Sequence, residues 1–391
     1  MIEIVDKSQC CGCHGCVNVC PKSCISMHTD EEGFWYPRVD KDLCIDCQLC
    51  ERVCPVLQDV QKEEFQPIAY ACKNLNEEVR EQSSSGGVFS LLCEDVISQG
   101  GVVFGASFDE HFNVRHTYAE KLEDCTQFRG SKYVQSKIGD TYKKAKQFLL
   151  NNRYVLFTGT PCQIKGLQMY LGKSYEKLIA VDVVCHGVPS PKVFSLYKSQ
   201  LESQYDSKLS NVWFRRKDKG WNDFSFAARF ENGTEYQKTL REDVFMRGFL
   251  SDLYLRPSCH ECCAKNFSNN SDLSLADYWG VGRIHPDFDD DRGVSLLLVN
   301  SEKGSKMMSC VSSQLDSRET DIDYAITRNP AIVRPSMAHP KRQQFFDQLN
   351  QNPKHLSRLI LKMITPPLLK RVKHETRVAL WKIKQKLLNR L

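Results

Sequence analysis

Nowhere in the 391-residue chain do about 18 apolar residues follow one another, the length a helix needs to cross a bilayer. The longest candidates, residues 294–299 and 359–364, are too short or carry lysine. The chain opens Met1-Ile2-Glu3-Ile4-Val5-Asp6-Lys7, without a basic stretch leading into an apolar run, so no secretory leader is read. Acidic residues almost vanish at the other end: residues 353–391 hold 11 Lys/Arg and a single acid, Glu375. Residues 1–66 reverse this, with 6 Lys/Arg against 12 Asp/Glu. The net charge of +5 therefore belongs to the last stretch and does not describe a nucleic-acid-binding core.

Cysteine is abundant, at 19 residues. Disulfides would suit spaced cysteines and an even count. Here the count is odd and the cysteines fall in tight sets, which points to metal-bound thiolates in a reducing compartment. The expected location is cytoplasmic.

Two sets share one spacing: Cys10-x2-Cys13-x2-Cys16-x3-Cys20-Pro21 and Cys44-x2-Cys47-x2-Cys50-x3-Cys54-Pro55. Three thiolates spaced in this way reach three irons of one 4Fe–4S cubane, and the fourth, before proline, reaches the other cluster. The expected ligand sets are thus Cys10, Cys13, Cys16 and Cys54 for a first cluster, and Cys44, Cys47, Cys50 and Cys20 for a second. Zinc also takes C-x2-C pairs, but it does not require the third cysteine and the Cys-Pro, twice over. Cys11 and Cys24 stand outside the pattern, as thiols packed near the clusters.

Beyond Pro67, residues 68–72 read as a strand. Ser83-Ser84-Ser85-Gly86-Gly87 then feeds a helix to Ser98, with Val88, Leu91, Leu92 and Val96 on one face. A Ser/Gly turn at a helix start suits a phosphate or a flat ring; it equally suits a plain capped helix. Residues 101–108 and 112–119 read as a hairpin. Arg129-Gly130-Ser131-Lys132-Tyr133 follows, as a ligand-lining or a surface loop. The apolar strand 153–158, the turn Gly159-Thr160-Pro161-Cys162-Gln163, a helix to about Leu171 and the strand 178–184 form a βαβ unit. Ligands collect beyond the carboxyl ends of such strands, where Cys162 and Cys185 both stand. With Cys259-x2-Cys262 they make a candidate third set, although Cys263 is out of step and could replace Cys262. Spacing alone leaves open that these four bind nothing. Residues 353–391 read as basic helical pieces around Thr365-Pro366-Pro367, either docked on the protein or attached to anionic lipid or an acidic partner.

Taken together, Ser84-Ser85-Gly86-Gly87, Arg129 to Tyr133, Gly159 to Gln163, Cys185-His186-Gly187, Cys259-x2-Cys262 and Ala276-Asp277-Tyr278-Trp279-Gly280 resemble the beta subunit of coenzyme F420 hydrogenase/dehydrogenase. That family includes a chlorophyll-modifying reductase and many bacterial members. The resemblance spans about residues 1–340 and implies FAD in the central α/β region, a further 4Fe–4S cluster beside it, and a position near the flavin for Ser85, Gly86, Gly87, Lys132 and residues 159–163. Arg129, Ser131, Gly159, Thr160 and Gln163 join the cofactor-binding candidates. Lys132 would stabilise a reduced flavin anion, and His186 would either supply a proton or merely bond within its turn.

The expected fold is α+β and α/β multidomain. A dicluster ferredoxin domain occupies residues 1–62, an α/β flavin domain with its βαβ unit residues 66–150 and 151–345, and a basic helical tail residues 346–391. The expected function is an iron–sulfur flavoprotein oxidoreductase, linking a ferredoxin or other redox protein to an organic substrate. One alternative is the electron-entry or deazaflavin-reducing beta subunit of a larger complex, with the tail as a docking element or a peripheral contact at the inner membrane face. A second is a redox-sensing protein whose clusters only report oxidation state.

Overall fold

A computed structural model describes residues 1–59 and 65–365. In the N-terminal module, α1 (Gly15–Val19) carries Cys16 and is closed by Cys20. Next, β1 (Ile25–Thr29) pairs antiparallel with β2 (Trp35–Val39), Ile25 opposite Val39. The short α2 (Leu49–Arg52) carries Cys50. The cysteine repeat recurs in the backbone. Gly12 and Asp46, each two residues after the first cysteine of its set, have φ of 69° and 47°. His14 and Gln48, the N-caps of α1 and α2, have φ of 61° and 59°. Left-handed conformations at non-glycine residues cost about 1–2 kcal/mol each. Their repetition at matching positions marks a loop bent around a centre.

The larger body begins with β3 (Ile68–Asn74), α3 (Glu77–Glu81) and α4 (Val88–Ser98). The hairpin β4 (Val102–Phe108) and β5 (Val114–Ala119) leads to α5 (Thr141–Leu150). Then come β6 (Val155–Gly159), α6 (Pro161–Leu171), β7 (Leu178–Val183) and α7 (Pro191–Tyr205). An antiparallel meander of β8 (Leu209–Arg216), β9 (Ser225–Phe230) and β10 (Glu235–Thr239) precedes α8 (Val244–Leu250). The chain rejoins the large sheet with β11 (Leu273–Asp277) and β12 (Ser295–Val299), continuing through α9 (Glu302–Val311), β13 (Leu315–Thr320), α10 (Ile322–Arg328), α11 (Arg342–Gln351) and α12 (Leu356–Ile364).

The large sheet runs β13-β3-β12-β11-β7-β6-β4-β5. Its centre, β4, β6, β7 and β11, is parallel; the outer pairings are antiparallel. One face is covered by α4 and α9, whose Leu91, Leu92, Val96, Met307 and Val311 meet Val103, Leu156 and Val181. The other is covered by α5 and α6, where Tyr142, Ala145, Ile164 and Leu167 meet Phe104 and Phe157. Being apolar on both faces, the central strands read as continuous Val/Leu/Phe runs, as buried parallel strands do. A second core joins α7, α8, the meander, α11 and α12 through Phe194, Phe214, Phe245 and Phe346. Leu356, Leu359, Ile360 and Met363 of α12 lie in that core. Residues 353–365 of the basic stretch are therefore partly built into the body, while residues 366–391 lie outside the described residues. No helix among the described residues is long and apolar enough to cross a membrane.

The N-terminal module is fastened to this body by named bonds. Asn18 donates to Gly139 O (2.8 Å) and accepts from Lys143 N (3.3 Å). Arg342 donates through both terminal nitrogens to the Glu32 carboxylate (2.9 and 2.5 Å). Arg256, fully buried, donates to Cys10 O (2.7 Å), Gln135 Oε1 (3.2 Å) and Trp35 O (2.9 Å).

Candidate metal centres and cofactor pocket

The nineteen cysteines are all free thiols, and all but Cys310 are buried or half-buried. The chain places Cys54 beside Cys10 and Cys13, near Cys16. Cys20, Cys44, Cys47 and Cys50 line a small apolar cavity closed by Met1, Ile25 and Val39. Cys24 lies in the same wall, its sulfur 3.3 Å from that of Cys20. The crossing of the fourth cysteines has a local cause. Each short helix carries the third thiol inward and ends before the fourth, which the Cys-Pro turn sends toward the opposite loop.

A third thiol group sits at the carboxyl ends of β6 and β7. Cys162 is in the first turn of α6; Cys185 follows β7; Cys259 and Cys262 arrive on the loop after Pro257. All four line one pocket, with Cys11, Cys263, Arg256 and Lys265. The Cys11 thiol contacts those of Cys13, Cys162 and Cys263. It thus lies between the first thiol set and the third. Val188 N donates to Cys259 Sγ (3.3 Å), and Lys265 Nζ donates to Cys185 O (2.6 Å). Burial pushes Cys259 up to about 11 and Cys262 up to about 12. The Cys11 thiol, helped by Thr160, holds Cys162 down to about 6 against the pull of burial. Several thiolates together in so dry a place need a cationic centre to neutralise them.

Among the described residues, no three His, Cys, Asp or Glu side chains close to the spacing of a single metal ion. Tetrahedral zinc needs that spacing. A cubane spreads its irons over the corners of a cube, so its thiolates stand farther apart. The three thiol groups therefore fit iron–sulfur clusters better than zinc. Gly166 of α6 makes the junction tight: a Cβ there would lie 2.9 Å from Cys13 Cβ and 3.1 Å from Cys13 Sγ.

The two loops expected around a flavin meet each other. Ser131 donates to Ser84 Oγ through both its N–H (2.8 Å) and its hydroxyl (3.0 Å), and Arg129 donates to Gln82 Oε1 (2.7 Å). Gly87 N-caps α4 with φ of 84° and no side-chain cap. Lys132 Nζ donates to Arg129 O and Gly130 O, both at 3.2 Å, and burial pushes its pKa down to about 7. An uncapped helix start beside a cation suits a phosphate-bearing cofactor. Other expected contacts are already used within the protein. Gly86 packs on the sheet: a Cβ would collide with Cys72 O and lie 2.7 Å from Ser295 N. Ser85 Oγ donates to Val294 O (2.9 Å). Gln163 accepts from Thr160 N (2.9 Å) and donates to Ser136 Oγ (2.9 Å). A Cβ at Gly159 would meet Gln163 Oε1 at 3.1 Å. His186 Nε2 pairs with Asp252 Oδ1 (2.6 Å), and its ring stands edge-on to Phe249.

Arg256, Lys265 and the Cys11 junction escaped sequence reasoning. The cations stand among ordinary polar residues without a motif, and Cys11 falls outside the repeat. An adjacent cysteine in an otherwise regular set, at Cys10-Cys11 and again at Cys262-Cys263, was the available signal.

The repeat, the crossed thiols and the βαβ-end thiol group define an iron–sulfur electron-transfer protein. Residues 9–57 match the 4Fe-4S dicluster domain. Over residues 152–323 the chain belongs to the family described as the C-terminal part of the coenzyme F420 hydrogenase/dehydrogenase beta subunit. No curated protein matches it. Among solved structures it is similar to a chain of the F420-reducing [NiFe] hydrogenase complex from Methanosarcina barkeri, at 17% identity and a TM-score of 0.44, over 78% of this chain and 92% of that one.

Proposed function

We propose that this protein is an electron-entry subunit of a larger hydrogenase- or dehydrogenase-type complex. It would carry three 4Fe–4S clusters and FAD and exchange electrons between a ferredoxin-type partner and a deazaflavin or other organic substrate. When bound, clusters supply one-electron transfer and a flavin supplies two-electron hydride chemistry. Cys10, Cys13, Cys16 and Cys54 would hold the inner cluster of the module, and Cys20, Cys44, Cys47 and Cys50 the outer one. Cys162, Cys185, Cys259 and Cys262 would hold the third. The carrying observation is the unbroken succession of thiols, in which Cys11 touches both Cys13 and Cys162.

The protein's own groups have defined parts. Arg256 locks the first loop against the body with three donated bonds. Lys132 holds positive charge beside the glycine turn, where the reduced cofactor would carry negative charge. His186 is oriented by Asp252 and can hold a proton at Nε2 toward that carboxylate.

Anaerobic purification with iron, sulfide and flavin quantified together tests the reading. About twelve irons and about one FAD per chain are expected. About eight irons without flavin would remove the third centre and the hydride chemistry together. A second reading, a stand-alone reductase, is favoured by the fused dicluster module, which gives the chain its own electron input. Reductase activity in a purified monomer or homodimer would select it; an obligate hetero-complex would select the first reading.

A further inference from the structure

The strand β8 loses its regular register between Trp213 and Arg216. Regular strands alternate inward and outward, yet Phe214 and Arg215 are both buried, at 1% and 8% exposure. An irregularity of this kind re-aims a side chain, and here it turns a guanidinium inward. Nη1 of Arg215 donates to Asp277, at the end of β11, and lies 3.4 Å from Tyr133 OH. The other Asp277 oxygen accepts from Trp221 Nε1 (2.9 Å). Arg215 Cζ lies 4.3 Å from the Phe224 ring centroid and 5.3 Å from that of Trp279. Ring contacts act on the flat face of a guanidinium and leave its in-plane N–H groups unbonded. Nε and Nη2 of Arg215 are buried and have no acceptor. Two charged donors left dry and unbonded are costly, so an acceptor from outside the chain has a place here.

We propose that Arg215 anchors a binding site for a phosphate-class oxyanion, held between β8 and the Asp277–Trp279 turn. The planar fork of two adjacent donors matches phosphate oxygens in bidentate fashion. One nitrogen is already tied to Asp277, and that bond orients the remaining two. Lys217, two residues on, leaves a net positive charge around the site. Its Nζ is fixed by Arg80 O (2.7 Å), Ser85 O (3.2 Å) and Arg292 O (2.7 Å). The oxyanion can come from the cofactor's own phosphates or from a phosphorylated substrate; the site's chemistry is the same for both and does not rest on the flavin reading.

The test uses the full chain, purified anaerobically as wild type, Arg215→Gln and Arg215→Lys. Iron and flavin per chain are measured, and inorganic phosphate is then titrated into each by calorimetry. Arg215→Gln is expected to keep wild-type iron and to lose about tenfold or more of either bound FAD or phosphate affinity. Loss of FAD assigns the site to the cofactor's phosphates; loss of phosphate affinity with FAD retained assigns it to the substrate. Arg215→Lys, which keeps the charge beside Asp277 but not the fork, is expected to show the same loss to a smaller degree. It decides the matter if Arg215→Gln fails to fold. Wild-type FAD content together with wild-type phosphate behaviour, in an iron-replete variant, would overturn the proposal. A wild type with no flavin at all would count against the flavin reading while the phosphate titration still decides this one.

Discussion

His116, on β5, shows how one residue ties the sheet to the third thiol group. Its Nε2 meets Thr158 O (3.0 Å), a carbonyl that can only accept, so that nitrogen carries the hydrogen. Its Nδ1 therefore accepts from Ser136 Oγ (2.9 Å), which itself accepts from Gln163 Nε2 (2.9 Å). Gln163 next takes Thr160 N (2.9 Å), two residues from Cys162. Burial pushes the imidazole pKa of His116 down to about 4. The folded value lies below the unfolded one of about 6.5, so the unfolded chain takes up the proton first as pH falls. Stability present above about pH 6.5 should be lost down to about pH 4, by at most about 3 kcal/mol at about 1.4 kcal/mol per pH unit. Urea midpoints of the anaerobic protein should show the wild type's advantage over His116→Gln shrinking across that window. Parallel pH curves for the two proteins would show that this histidine is not titrating.

At the scale of elements, the sequence was most legible where the signal is local. The strand, helix and strand at 155–183 and the helix at 88–98 stand where the apolar pattern puts them, because both depend on neighbours within a few turns. The crossed cysteine sets follow in the same way from spacing and the Cys-Pro turns. Strand order was not legible. Insertion of β3 between β12 and β13 depends on partners more than 200 positions away, such as Cys72 opposite Ser295, and no local pattern announces it. Nor did Arg215 stand out, since Arg-Arg-Lys reads as a solvated strand end until the break in register turns one arginine inward. Gly86 was expected to serve a ligand. Its packing against β3 and β12 gives a second reason for glycine, and a turn motif cannot distinguish the two. The element α12 supports a direct test. Ile360 is fully buried against α8 and its surroundings, so Ile360→Ala should cost about 2–5 kcal/mol in denaturant unfolding. An unchanged midpoint would mean that α12 does not belong to the cooperative body.

For the molecule as a whole, the decisive contact is between the N-terminal module and the α/β body. Arg256 supplies three bonds across it and lies 4.2 Å from the Tyr36 ring centroid. Gly12 lets the loop approach: at φ of 69°, a Cβ there would stand 2.6 Å from Gln135 Nε2. Arg256→Gln removes the charge and most of these bonds. Hydrogen exchange at residues 10–13 should then speed up by an amount corresponding to roughly 3 kcal/mol of easier opening. Protection unchanged in that variant would show that the module is held by its other contacts, at Asn18 and Glu32.

Gly166 gives the same junction a further consequence. With only a hydrogen at that position, α6 rests directly on the Cys13 loop, and nothing but sulfur intervenes between the neighbouring thiol groups. A methyl group at 166 would act as a shim and prise the two bodies apart along that line. Tunnelling between redox centres weakens exponentially with the width of the gap. A carbon atom that the chain omits thus limits how fast charge can hop from one body of the protein to the other.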